Sequence, residues 1–154
     1  MVKVHQLNTI VSVVYRPPDT CPSEFNPVLR KIDSTLVSLP SPTPSITLMG
    51  DFNFPSSVIT WQSVEGVLMP RVGGFRVRSD EESEGDQVRQ QAAHLCDLAV
   101  KYHLTQQVNT GTRGTEILDL IWSSNPDHVS CIHVDAFSDF SDPSVVTAAT
   151  SFKL

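Results

Sequence analysis

The sequence is short of the features that mark several large classes of function. Its three cysteines, Cys21, Cys96 and Cys131, are odd in number and far apart. That excludes close-spaced metal pairs and argues against a disulfide framework, so buried free thiols in a reducing compartment are expected. Long apolar runs are absent. The early run Thr9-Ile10-Val11-Ser12-Val13-Val14 falls far below the roughly 20 residues of a membrane helix, and no secretory leader pattern is visible. An intracellular location, cytoplasmic or nuclear, with no membrane partner is the expectation. Positive charge is scarce as well: 11 Lys and Arg against 17 Asp and Glu give a net charge of −6. The broad basic patch that signals non-specific nucleic-acid binding is therefore missing. Carboxylates gathered at a metal site remain compatible with this balance, because the cation neutralises them locally.

What is present suits one ordinary domain. The 154 residues are 40% hydrophobic and 18% charged, enough to bury a core. The β-branched run from Ile10 to Tyr15 predicts a strand, ended by Arg16-Pro17-Pro18-Asp19, where two prolines remove ladder donors. Phe25, Val28, Leu29, Ile32 and Leu36 share one helical face, which predicts a helix over 22–39 with Ser23 as N-cap. Pro40 to Pro44 stops it, and a buried strand through Ile46 follows. A strand, a helix and a strand within about 40 residues predict two parallel strands. The stretch 55–75 has no clear period, with Val58 to Trp61 read as a loop-packing segment. The acidic stretch 79–86 reads as a solvated loop. A second helix over 87–102 presents Val88, Ala92, Leu95, Ala99 and Tyr102. Strands over 105–108, 116–122, 129–134 and 144–150 complete an α/β chain of the α+β type, mainly one mixed sheet with two helices.

One stretch carries chemistry: Ile46-Thr47-Leu48-Met49-Gly50-Asp51-Phe52-Asn53. An apolar strand ends in Gly, acid, aromatic and amide, and two residues apart in an extended chain Asp51 and Asn53 point the same way. A carboxylate and a carboxamide aimed together can position a water and hold a hard cation. A plain Asx turn at a strand end explains the same residues locally. Two further acids share this grammar, Asp119 within a predicted strand and Asp142 (or Asp139) just before one. Such a convergent set suits metal-assisted hydrolysis of a phosphodiester.

In Val13-Val14-Tyr15-Arg16-Pro17-Pro18, Met49 to Pro55, Ile117 to Trp122 and Phe140-Ser141-Asp142, taken in order, the chain resembles the endonuclease/exonuclease/phosphatase superfamily, and within it the endonuclease domain of non-LTR retrotransposons. The resemblance implies a four-layer α/β/β/α sandwich, a Mg²⁺ (or Mn²⁺) cofactor, DNA as substrate and a reverse transcriptase domain in the parent element. It implies roles for five residues. Tyr15 positions the scissile phosphate, Asp51 orients or deprotonates the water, and Asn53 supports phosphoryl oxygens. Asp119 orients a catalytic histidine, and Asp142, with Asp51, lies near the metal.

Two departures bear on activity. The family's Ser-Asp-His reads Ser141-Asp142-Pro143, and aligning Ser138-Asp139 instead puts Phe140 at the histidine position. Neither side chain can replace imidazole, and His128 and His133 are the remaining candidates nearby. Second, the half of the domain that supplies a metal-binding glutamate is expected to be missing, so that residues 1–154 form a partial domain with an open inner sheet face. Three readings stay open: a DNA-nicking enzyme impaired by these losses, an inactive retroelement remnant serving as a fold fragment or interaction module, and a phosphoesterase acting on small phosphate esters.

Overall fold

A computed structural model describes residues 1–4, 8–73, 84–135 and 145–150. Nine strands occur among them: β1 (Val2–Val4), β2 (Thr9–Tyr15), β3 (Ser45–Asp51), β4 (Ile59–Val64), β5 (Val67–Val72), β6 (Thr105–Gln106), β7 (Asp119–Ser123), β8 (Val129–Asp135) and β9 (Val145–Thr150). Helix α1 spans Pro22–Val37 and α2 spans Glu84–Lys101. The first seven strands form one sheet in the order β1-β2-β3-β7-β6-β5-β4, and β8 and β9 form a separate hairpin. β2 and β3 are parallel, as the intervening helix requires, and the other pairs are antiparallel. The fold is therefore α+β, a mixed sheet with two helices.

Both helices close over one face of this sheet. Phe25, Leu29, Ile32 and Leu36 of α1 and Ala92, Leu95, Leu98 and Ala99 of α2 meet Val14, Ile46, Leu48, Leu120 and Trp122 in one core. Burying each large apolar side chain there contributes about 1.5–3 kcal/mol. Asp33 ties the helices together, its Oδ1 accepting from Lys101 Nζ at 2.6 Å and from Tyr102 Oη at 2.7 Å. Among the described residues no helix is long and apolar enough to cross a membrane.

Several local expectations are corrected. Cys21, not Ser23, is the N-cap of α1, and its side chain makes no capping bond. Pro22 at the first helical position starts the helix instead, its fixed φ being already helical. Val28 sits on the predicted face yet is 41% exposed. The stretch expected to be irregular holds the β4–β5 hairpin, turning at Glu65 (φ +52°) and Gly66 (φ +82°). Two successive left-handed residues make the tight turn that matches strand twist. Pro70 is tolerated in β5 because the pairing with β6 is confined to Leu68. α2 begins at Glu84, inside the stretch expected as loop, and β7 begins at Asp119 rather than Glu116. All three cysteines are free, but Cys21 and Cys131 are exposed rather than buried.

Candidate functional site

Strand register brings three of the predicted residues together. Tyr15 lies opposite Asp51 across β2 and β3, and Asp51 lies opposite Asp119 across β3 and β7. Residues directly opposite one another share a face of the sheet. The three therefore form one row on the last rung of the parallel pair. Their neighbours Val14, Gly50 and Leu120 belong to the next row, which turns toward the helices. Tyr15 is 67% exposed and Val13, two residues earlier on the same face, 71%. The row thus lies on the side away from the helix layer, within reach of a large ligand.

Asp51 and Asp119 are both half-buried. Asp51 Oδ1 accepts the Asn53 N–H at 3.1 Å. Burial pushes the Asp119 carboxyl above the ordinary carboxylate range, a hydrogen bond from Thr112 opposes this, the Asp51 charge adds to it, and Arg113 opposes it. Like charges placed directly opposite one another destabilise a sheet. A folded-state pKa above the unfolded one means that the native state holds the proton more tightly, so this contribution to stability is lost as pH rises through the carboxylate range. Asp119→Asn should therefore match wild-type Tm in acid and exceed it at about pH 7. A Tm difference that does not grow with pH in thermal melts of the two proteins would contradict this.

Asn53 does not sit where an extended chain would put it. The strand ends at Asp51, and Asn53 takes a left-handed φ of +48°. Its side chain is buried, with Nδ2 donating to the Arg16 carbonyl at 2.9 Å. The bond from Asn53 N–H to Asp51 Oδ1 is an Asx turn made by the Asp51 side chain, so Asp51 serves both this turn and the row. Gly50 makes the bend possible: its φ is +143°, and a Cβ there would stand 1.7 Å from the Val14 carbonyl oxygen.

Two supporting residues are given no site role by the sequence, although Arg16 lies in a segment that carries the resemblance. Arg16 follows Tyr15 directly and is fully buried. Its Nε donates to Gln91 Oε1 at 2.8 Å, one terminal nitrogen donates to the Asn53 carbonyl at 3.2 Å, and its guanidinium lies 4.5 Å from the centre of the Phe54 ring. Burial lowers its pKa from the ordinary value, against the raising influence of Asp19. Thr112, also buried, takes the N–H groups of Leu118 and Asp119 on its Oγ1 at 3.0 and 3.1 Å and so fixes the start of β7. A turn rich in Gly and Thr gives no hint that one hydroxyl is sealed inside.

Asp142, with Asp139, Phe140 and Pro143, lies outside the described residues. Neither histidine candidate is brought to the row by a described contact. His128 comes five residues after the far end of β7, and its Nε2 lies 3.1 Å from Asn125 Nδ2. His133 is exposed on β8. Among the described residues no group of three or more His, Cys, Asp or Glu gathers as a metal site. Two cavities, of about 470 and 320 Å³, include none of Tyr15, Asp51 and Asp119.

A family model that covers most of the chain places it in the endonuclease/exonuclease/phosphatase superfamily. Within it the chain belongs to the endonuclease-reverse transcriptase family, whose model matches residues 9–146. Searches of curated proteins and of solved structures return no match. The chain is thus a retrotransposon endonuclease-like domain.

Proposed function

We propose that the domain nicks DNA by metal-assisted hydrolysis of a phosphodiester. The observation that carries this is the single in-register row of Tyr15, Asp51 and Asp119 in a chain of this family. Asp51 orients or deprotonates the attacking water, and the exposed Tyr15 hydroxyl holds a phosphate oxygen. Asn53 shapes the turn that aims Asp51. Asp119 sets the local charge beside Asp51, with Thr112 holding its backbone.

Hard divalent cations prefer oxygen donors. The Asp51 carboxylate spends one oxygen on its own turn and faces a second carboxylate whose proton affinity it raises. Of the residues that the resemblance implies for Mg²⁺ or Mn²⁺, Asp51 has its other oxygen to offer and Asp142 lies outside the described residues. When bound, such a cation supplies charge neutralisation at the phosphate. Tyr15 is exposed and the row lines neither of the two cavities described above, which favours a polymer backbone over a small phosphate ester.

The test is nicking of supercoiled plasmid with Mg²⁺. Wild type should relax the plasmid, and Asp51→Ala should lower the rate by on the order of 10²–10⁴-fold. Pro143, standing at the family's histidine position, favours a second reading, an inactive remnant of the element. Equal and negligible nicking by wild type and Asp51→Ala at high protein would select that reading.

A further inference from the structure

Gln91 is a fully buried amide in α2, beside the apolar Ala92 and one turn from Leu95. Its two polar atoms are both engaged toward the β2 end of the molecule: Oε1 accepts from Arg16 Nε at 2.8 Å, and Nε2 donates to the Thr20 carbonyl at 3.2 Å. Arg16 in turn grips both sides of the acid row. It is covalently next to Tyr15. Its backbone N–H donates to the Asp51 carbonyl at 2.8 Å, its side chain donates to the Asn53 carbonyl at 3.2 Å, and its own carbonyl accepts from Asn53 Nδ2 at 2.9 Å. The chain of contacts runs from helix to guanidinium to strand ends without a gap.

Among the described residues the hydrogen bonds of this buried charge all go to neutral acceptors, with Asp19 attracting it without a hydrogen bond, and such burial is costly. An apolar side chain could fill the same space under the Phe25 and Phe54 rings but would leave the Gln91 and Asn53 acceptors unpaired. An apolar filler cannot hold two strand ends at a fixed spacing, whereas a planar fork with several donors can. We propose that Gln91 and Arg16 are positioning residues that fix the Tyr15 hydroxyl relative to the Asp51 carboxylate, with Gln91 Oε1 as the acceptor that sets the orientation of the guanidinium. This rests on the nuclease reading for its catalytic consequence, but not for its geometry.

Gln91→Met keeps the length and helix preference of the side chain and removes the acceptor. Gln91→Glu keeps an acceptor for Arg16. Two readouts are taken on the whole chain: nicking of supercoiled plasmid with Mg²⁺, as kcat and KM, and native-state hydrogen exchange of the Arg16 amide against that of Leu48, which reports the centre of the same sheet. In Gln91→Met the Arg16 amide should exchange about 10-fold faster relative to Leu48, and kcat should fall about 10-fold with KM within about 2-fold, because misplacement by a fraction of an ångström acts on the reacting geometry. Gln91→Glu keeps the acceptor for Arg16 but loses the donor to the Thr20 carbonyl, so its exchange ratio and kcat should stay clearly closer to wild type than those of Gln91→Met.

An unchanged exchange ratio in Gln91→Met overturns the proposal, as does equal acceleration of both amides, which would mark Gln91 as merely structural. A Gln91→Glu variant that behaves like Gln91→Met also overturns it, since the acceptor would then not matter. If the wild type does not nick, the nuclease reading fails, and the exchange ratio alone still decides whether Gln91 and Arg16 hold the strand ends.

Discussion

Gly50→Ala is expected to leave little folded protein. A Cβ at position 50 would stand 1.7 Å from the Val14 carbonyl oxygen and 2.8 Å from its carbon, and both belong to the backbone of the neighbouring parallel strand. No rotamer change relieves such a contact. Either β2 and β3 separate at the rung beside the acid row, or residue 50 abandons its φ of +143° and the turn to Asn53 is lost. A non-glycine residue in that backbone region costs on the order of 1–3 kcal/mol by itself. The steric clash brings the expected total to about 4 kcal/mol or more, against a typical domain stability of about 5–15 kcal/mol. Gly66→Ala is the control. It too has a positive φ, +82°, but nothing lies within 4 Å of its added carbon. Its cost should stay near 1 kcal/mol. Urea denaturation of the two variants checks the contrast. A Gly50→Ala protein as stable as Gly66→Ala would mean that the strands spread at little cost.

The same positions show which parts of the structure the sequence announces. Periodic burial is legible: the β2 run, the α1 and α2 faces, the β3 run and the parallel pairing forced by the helix between them all follow from apolar spacing. Tyr15, Asp51 and Asp119 are legible as a set only through the family resemblance, because Tyr15 alone reads as a strand-end residue and Asp119 as an acid inside a strand. The β4–β5 hairpin is not. Its turn uses Glu65 in a left-handed conformation, where Asn or Asp would have flagged the reversal, and Pro70 argues against a strand that is fully paired on its β4 side and only at Leu68 on its β6 side. Asn53 looks like a partner of Asp51 only if the chain stays extended, and a single φ of +48° undoes that. Arg16 reads as the polar start of a proline turn. Its burial depends on an amide 75 positions later in the chain, and spacing within a strand or helix carries no information about such a bond.

Replacing Arg16 separates two opposing contributions, and their sizes predict the sign. Removing the charge relieves the desolvation that burial imposes on it, the same burial that lowers its pKa. Removing the donors orphans Gln91 Oε1 and the Asn53 carbonyl, both in buried bonds, while the Pro18 and Thr20 carbonyls at 3.4 and 3.5 Å are nearer to water. Each buried acceptor left unsatisfied costs about 1–3 kcal/mol. The stacking on Phe54 and Phe25, at 4.5 and 5.7 Å, is lost as well, at about 0.5–2 kcal/mol. The orphaned acceptors dominate, so Arg16→Met should lower stability by about 3 kcal/mol although it fills most of the space. Arg16→Lys should fare no better. An ammonium on a flexible stem reaches one of the two acceptors, sheds a tightly held hydration shell and cannot lie flat on the rings. Urea denaturation of the three proteins decides the matter. A Met variant equal to or above wild type would show that desolvation of the guanidinium outweighs its hydrogen bonds. A Lys variant equal to wild type would show that charge alone, without the planar fork, holds the ends of β2 and β3 together.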